Sequence, residues 1–257
     1  MKNITFILLL TMQLNALSQT NLKDMNHYLK ETTILNYSDS TIQSLIRKKG
    51  WLNMNTTERV KSIYNFVRDE IKFGYNLSDD ITASETLKDG YGQCNTKATL
   101  LMALLRGTGI PNRIHGFTIN KALQKGAISG IWYQLSPKNI LHSWVEVYVN
   151  NNWYFLEGVI LDKDYLTKLQ KKNKECKTTF CGYGAYTDNF ENPPIEWNLN
   201  NTYIQDKGIN QDFGLFDTPD EFYAKHQQQL GAIKKFIFRT IVRQKMNRNV
   251  EKIRNDN

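Results

Sequence analysis

The sequence predicts an α+β domain in which helices pack on an antiparallel sheet, and three observations carry this. Ala98, Leu101, Met102 and Leu105 recur at i, i+3, i+4 and i+7, and Gly109 followed by Pro111 ends the pattern, so this stretch is a helix with one face on a core. From His142 to Val149 the chain alternates, with Ser143, Val145, Val147 and Val149 on one face and His142, Trp144, Glu146 and Tyr148 on the other. Asn150-Asn151-Asn152 then makes a turn, and Trp153–Val159 returns as the second arm of a hairpin.

The first residues have a charged start at Lys2, an apolar run Ile4–Leu10 and small residues at Ala16 and Ser18. This is the pattern of a signal peptide over residues 1–18, which implies export. Translation from Met25 would instead give a cytoplasmic form. Ser38-Asp39-Ser40 opens a short helix through Leu45 and Ile46 to Gly50. Asn55-Thr-Thr-Glu58 opens another, with Val60, Ile63, Tyr64, Val67 and Ile71 at helical spacing, and Ser84–Lys88 forms one more turn.

Beyond Pro111, Arg113–Ile119 is a strand, in which His115 is a second histidine candidate, although a lone histidine on a strand is more often a hydrogen-bonded core or face residue than a base. Asn120–Ile140, broken by Gly126, Gly130 and Pro137, is either a flap over a cleft or a connection. Residues 163–217 form a loop-rich extension whose aromatics (Tyr183, Tyr186, Phe190, Trp197, Tyr203) either pin it to the core, the commoner case, or line a substrate groove; helical spacing shows only around Tyr165, Leu166 and Leu169. Thr218-Pro-Asp-Glu221 starts a long C-terminal helix, residues 218–257, interrupted at most by Gly231.

Composition bounds the function. With 257 residues, 40% of them hydrophobic, the chain can build one good core. The net charge is +8, but from Thr218 onward nine Lys and Arg stand against four Asp and Glu, so the excess gathers in the tail. That distribution argues against a uniformly basic nucleic-acid face, and no nucleic-acid motif, phosphate-cradling loop or metal-ligand pair is present. The chemistry therefore calls for no cofactor. The basic amphipathic tail suits an anionic membrane or an acidic partner, or else packs on the domain with its charges in water.

Asp89-Gly-Tyr-Gly-Gln-Cys94-Asn-Thr-Lys is a Gly-rich loop that delivers Cys94 to the first turn of the predicted helix. A helix N-terminus carries partial positive charge and free N–H groups, which favour thiolate and can bind an oxyanion. Cys176 and Cys181, with four residues between them, either close a small disulfide loop or stand as two thiols.

Cys94 at a helix start, the Gly109-Ile-Pro111 exit leading to Arg113, and His142-Ser-Trp144-Val-Glu146-Val resemble in combination the transglutaminase-like cysteine superfamily over roughly residues 57–165. The resemblance implies a papain-like core, with residues 19–217 as the domain. It also implies Cys94 as nucleophile, His142 as base, an acid orienting the histidine, and a protein or peptide substrate.

The register of the hairpin decides which acid serves. A two-residue loop sets His142 opposite Val159 with Glu157 diagonal to it; a three-residue loop puts Asp162 in the diagonal place. Glu157 is the preferred acid and Asp162 the alternative, although the family pattern has Asp where Glu157 stands. Glu146 is expected to be a solvated strand residue.

The expected chemistry is attack by sulfur on an amide carbonyl. The Cys94 N–H, helped by Gln93 or Trp144, would hold the oxyanion, and a thioester would form. Hydrolysis is preferred; cross-linking by an amine and a non-catalytic binding protein of the same fold are the alternatives.

Overall fold

The computed structural model describes residues 25–256 apart from residue 229; the predicted signal segment lies outside them. In chain order, α1 (Ser40–Lys49), α2 (Thr56–Asp69), β1 (Lys72–Phe73), α3 (Ala83–Asp89) and β2 (Tyr91–Gly92) lead to α4 (Cys94–Gly107). Then follow β3 (Asn112–Asn120), α5 (Gly130–Leu135), β4 (Asn139–Val149), β5 (Asn152–Phe155) and α6 (Lys163–Lys172). The chain ends with β6 (Phe180–Gly182), β7 (Ala185–Thr187), β8 (Ile209–Phe216), α7 (Pro219–Lys225), α8 (Ala232–Ile237), a π-turn (Phe238–Val242) and α9 (Arg243–Asn255). Helices packed on an antiparallel sheet are the fold class that the periodicities predicted.

Local chemistry fixes the helix ends. Asp39 and Asn55 accept the backbone N–H of Thr41 (2.8 Å) and Glu58 (3.0 Å) as N-caps, and Thr82 with Glu85 forms a capping box that starts α3. Gly50 and Gly90 end α1 and α3 in the left-handed conformation (φ 65° and 69°).

α4 is the centre of the core. From Leu100 to Leu105 every side chain is fully buried, because α2 and α3 cover one side and the sheet the other. The sheet has the order β5-β4-β3-β8, all antiparallel, and the face of β4 that carries Val145, Val147 and Val149 belongs to the core.

Three expectations about elements are corrected. The hairpin has the two-residue loop, with Asn150 and Asn151 at φ 50° and 63° and Val149 opposite Asn152, but β5 ends at Phe155 and residues 157–159 form a 3₁₀ turn. The ladder therefore never reaches His142. Strand β8, hidden in the extension, completes the sheet edge beside β3; its sequence Ile209-Asn-Gln-Asp-Phe-Gly-Leu-Phe216 is too polar to read as a strand, since one face is in water. The C-terminal helix is not continuous: α7 stops at Lys225, and helix resumes only at Ala232.

α9 packs through Met246, Val250 and Ile253. It is also hydrogen-bonded to the strand-like segment after β1, where the Asn247 amide accepts from the N–H of Tyr75 (2.7 Å) and donates to its carbonyl (3.0 Å).

Candidate active site

Two close approaches bring Cys94 to its helix start. A Cβ on Gly92 would lie 2.7 Å from Thr96 Oγ1 and 2.9 Å from Lys97 Cγ, so only glycine lets the incoming chain lie on the first turn of α4. The glycine serves its own helix rather than a ligand. Asn76 staples the loop: its amide donates to Asp89 (2.8 Å) and to the Tyr91 carbonyl (3.0 Å), and it accepts from Thr96 Oγ1 (2.6 Å).

His142 and Glu157 are both fully buried, with Nε2 of the imidazole 3.1 Å from Oε1 of the carboxylate. The second carboxylate oxygen accepts from the backbone N–H of Ile204 (2.8 Å) and of Gln205 (2.9 Å). Three bonds thus fix the acid, and two of them come from the loop-rich extension. With Nε2 bonded to a carboxylate, the neutral ring carries its proton there and presents a lone pair at Nδ1. That nitrogen is buried and has no partner among the described residues.

Asn95 ties the nucleophile's helix to the histidine's strand. Its amide donates to the Leu141 carbonyl (3.1 Å), and its oxygen accepts from Ser143 Oγ (2.9 Å), so both neighbours of His142 are held by the residue after Cys94. The sequence did offer a signal: Asn95 is a polar residue opening a helix that is otherwise buried on every side. Ile204 and Gln205 offered none, because they act through backbone N–H groups.

The electrostatics of the thiol differ from the expectation. Burial pushes the Cys94 thiol above its ordinary range, with Asp79 adding to the effect, while the N–H groups of Asn95 and Ser143 oppose it. Desolvation outweighs the helix N-terminus, the opposite of what the helix start alone favours. Burial likewise raises the carboxyl of Asp79, despite the hydrogen bond from the Gln93 amide (3.0 Å). Cys94 is 9% exposed and is reached through a groove of about 290 Å³, whose walls include Tyr75, Asp79, Trp132, Leu141, Phe238 and Met246.

The remaining sequence candidates fall as follows. Asp162, the alternative acid, is the N-cap of α6: it accepts from Tyr165 N (2.9 Å) and Phe73 N (2.7 Å) and pairs with Arg254 of α9, so its oxygens serve the scaffold. Gln93 spans the Asn76 N–H (2.8 Å) and Asp79, which commits its side chain to the loop wall. Trp144 sits two residues from His142, its ring edge-on to the imidazole at 6.4 Å and stacked on Phe155; its indole N–H is buried without a partner among the described residues.

Glu146 is not solvated. It is buried and binds His115 (2.9 Å) and Arg113 (2.7 Å), a second His–acid pair whose other ring nitrogen meets Asp212 at 2.8 Å. Cys176 and Cys181 are separate thiols. Among the described residues no group of three or more His, Cys, Asp or Glu is arranged to hold a metal ion, and no helix is long and apolar enough to cross a membrane.

A cysteine opening a buried helix, a histidine on the facing sheet and a carboxylate brought to it by a 3₁₀ turn describe a papain-like arrangement of elements. Residues 43–158 match the family model of the transglutaminase-like superfamily. The core supports thiol-dependent acyl transfer in general.

Among solved structures the chain is similar to a protein of Cytophaga hutchinsonii named provisionally a cysteine protease (20% identity over 51% of this chain and 40% of that one, TM-score 0.39). It is similar too to a provisionally named protease of Parabacteroides distasonis (17%, 51% and 25%, TM-score 0.32) and to red sea bream transglutaminase (15%, 52% and 25%, TM-score 0.28). The chain spans less than half the length of each. No curated protein matches the chain.

Proposed function

We propose that the protein cleaves amide bonds in a protein or peptide substrate through Cys94, His142 and Glu157. The observation that supports this best is the fully buried 3.1 Å contact between His142 Nε2 and Glu157, which leaves Nδ1 as a free base on a strand tied by Asn95 to the Cys94 helix. His142 takes the proton as sulfur attacks, in keeping with a thiol that burial pushes up.

The C–S bond forms as the carbonyl becomes an oxyanion, which faces the N–H groups of the first turn of α4. Collapse breaks the C–N bond; the amine leaves with the proton from His142, and a thioester remains. Water, deprotonated by His142, then releases the acid and restores the thiol.

An amine in place of water would give a cross-link, and one experiment separates the outcomes. Alkylation of Cys94 by iodoacetamide is followed against pH in the native protein and in His142→Ala, with Cys176 and Cys181 mapped separately. A glutamine-containing protein is then offered with a labelled amine. The reading requires a loss on the order of 10²-fold in Cys94 reactivity without His142. Equal rates in the two proteins would leave a binding protein, and amine incorporation would replace hydrolysis by transamidation.

A further inference from the structure

Nine large apolar side chains are exposed among the described residues, and six of them frame one place. Leu77 and Leu135 line the groove at Cys94, Ile131 stands beside Trp132 in its wall, and Ile233, Phe236 and Ile241 alternate with groove-lining residues along α8 and the π-turn. Ile233 is 77% and Phe236 67% exposed. Isolated exposed apolar residues are ordinary, but a gathered set ringed by polar groups marks a contact surface.

The helix explains the arrangement. Its inner side, through Phe238, Val242 and Met246, closes the groove, while its outer side is apolar again and covers nothing. Lys234, Lys235 and Arg239 flank that outer side and are exposed. From Phe222 to Val250 the chain has no Asp or Glu, so nothing on this segment neutralises them.

We infer that this rim seats the protein on an anionic lipid surface, with Ile233 and Phe236 in the acyl boundary, the basic side chains at the headgroups and the mouth of the groove beside the bilayer. Apolar residues set among cations on a short amphipathic helix match the two layers of such an interface. An acidic protein would satisfy the cations but not the outward Ile and Phe. The inference does not depend on catalysis by Cys94.

The test is flotation of the full chain with vesicles of phosphatidylcholine alone and of phosphatidylcholine mixed with phosphatidylglycerol, across a salt series. The expected result is binding to the anionic vesicles only, weakening as salt rises, and falling on the order of tenfold in Ile233→Ser/Phe236→Ser. Both substitutions are outside the groove, so unchanged thermal unfolding and unchanged Cys94 alkylation report an intact fold and site. Absence of flotation, equal flotation with neutral vesicles, or anionic flotation indifferent to the double substitution would each overturn the inference. So would retention by polyglutamate without flotation, or a dimer abolished by the double substitution without flotation, which would put an acidic partner or a second copy in the bilayer's place.

Discussion

Ser143 donates its hydroxyl to the Asn95 side chain across 2.9 Å, and the same amide holds the Leu141 carbonyl, so the first turn of the Cys94 helix and the strand of His142 are one rigid unit. Asn95→Ala removes both bonds and leaves a buried carbonyl and hydroxyl unpaired, at a cost of about 2–4 kcal/mol. The expected outcome is a lower denaturation midpoint together with a slower His142-dependent alkylation of Cys94. Asn95→Asp, which keeps the acceptor for Ser143 and loses the donor for Leu141, should fall between the two in both measurements.

Glu157→Gln puts an amide where one oxygen receives two backbone N–H groups. Whichever way the amide turns, a donor meets donors or the imidazole N–H loses its acceptor. Cys94 reactivity is expected to drop by about 10-fold or more, in line with the usual contribution of a general base and its orienting group. Glu157→Asp should not restore it, because the carboxylate retreats by one methylene from three fixed partners. Alkylation rates of the three proteins at one pH decide this.

Asp162 provides the contrasting case. Asp162→Ala breaks a buried pair with Arg254 and frees the N–H groups of Phe73 and Tyr165, so stability should fall by about 3–5 kcal/mol. The His142 dependence of Cys94 alkylation should survive under conditions where the variant is folded. Loss of that dependence in the folded variant would return Asp162 to the list of acids.

Lys97 is wholly buried on α4, its ammonium donating to the Arg68 carbonyl at 3.0 Å. Burial holds its pKa down to about 7 against 10.5 in the open chain, with Asp162 and Asp69 opposing. Above the unfolded value the amine is neutral in both states and burial costs nothing. As pH falls from about 10.5 toward 7 the unfolded chain alone takes the proton, and stability declines until the folded amine is protonated too. Lys97→Met removes this dependence. Its gain over the native protein in urea denaturation is expected to be negative by about 1 kcal/mol at high pH, the lost hydrogen bond, and to rise to about 3 kcal/mol at pH 7, the shift at 1.36 kcal/mol per unit less that bond.

Much of this was legible in the chain. The periodicity of α4, its stop at Gly109, the alternation of β4 and the Asn150-Asn151 turn each bury or expose side chains at a fixed spacing, and that spacing is what a sequence displays. Cys94, His142 and Glu157 could be singled out from local chemistry and the resemblance. The hairpin has the two-residue register, and Glu157 lies against His142, although the acid arrives from a 3₁₀ turn rather than along a ladder. Glu146 was misjudged because its partners His115 and Arg113 lie on the neighbouring strand, and the pairing of β3 with β4 is not written in either segment alone. The acid's other partners were invisible for a different reason: backbone N–H groups have no residue identity.

The contacts that hold Glu157 have a consequence for the order in which the chain becomes competent. Nucleophile, base and acid are all synthesised by residue 157, yet the groups that fix the acid arrive only at Ile204 and Gln205, and the wall opposite them only with Phe238 and Met246. These are long-range closures, which form late when local helices and hairpins form early. A nascent or truncated chain would therefore carry its cysteine and histidine in a collapsed core without a set geometry between them. Reactivity would appear as the last step of maturation, and the onset of Cys94 labelling during refolding would serve as a clock for it.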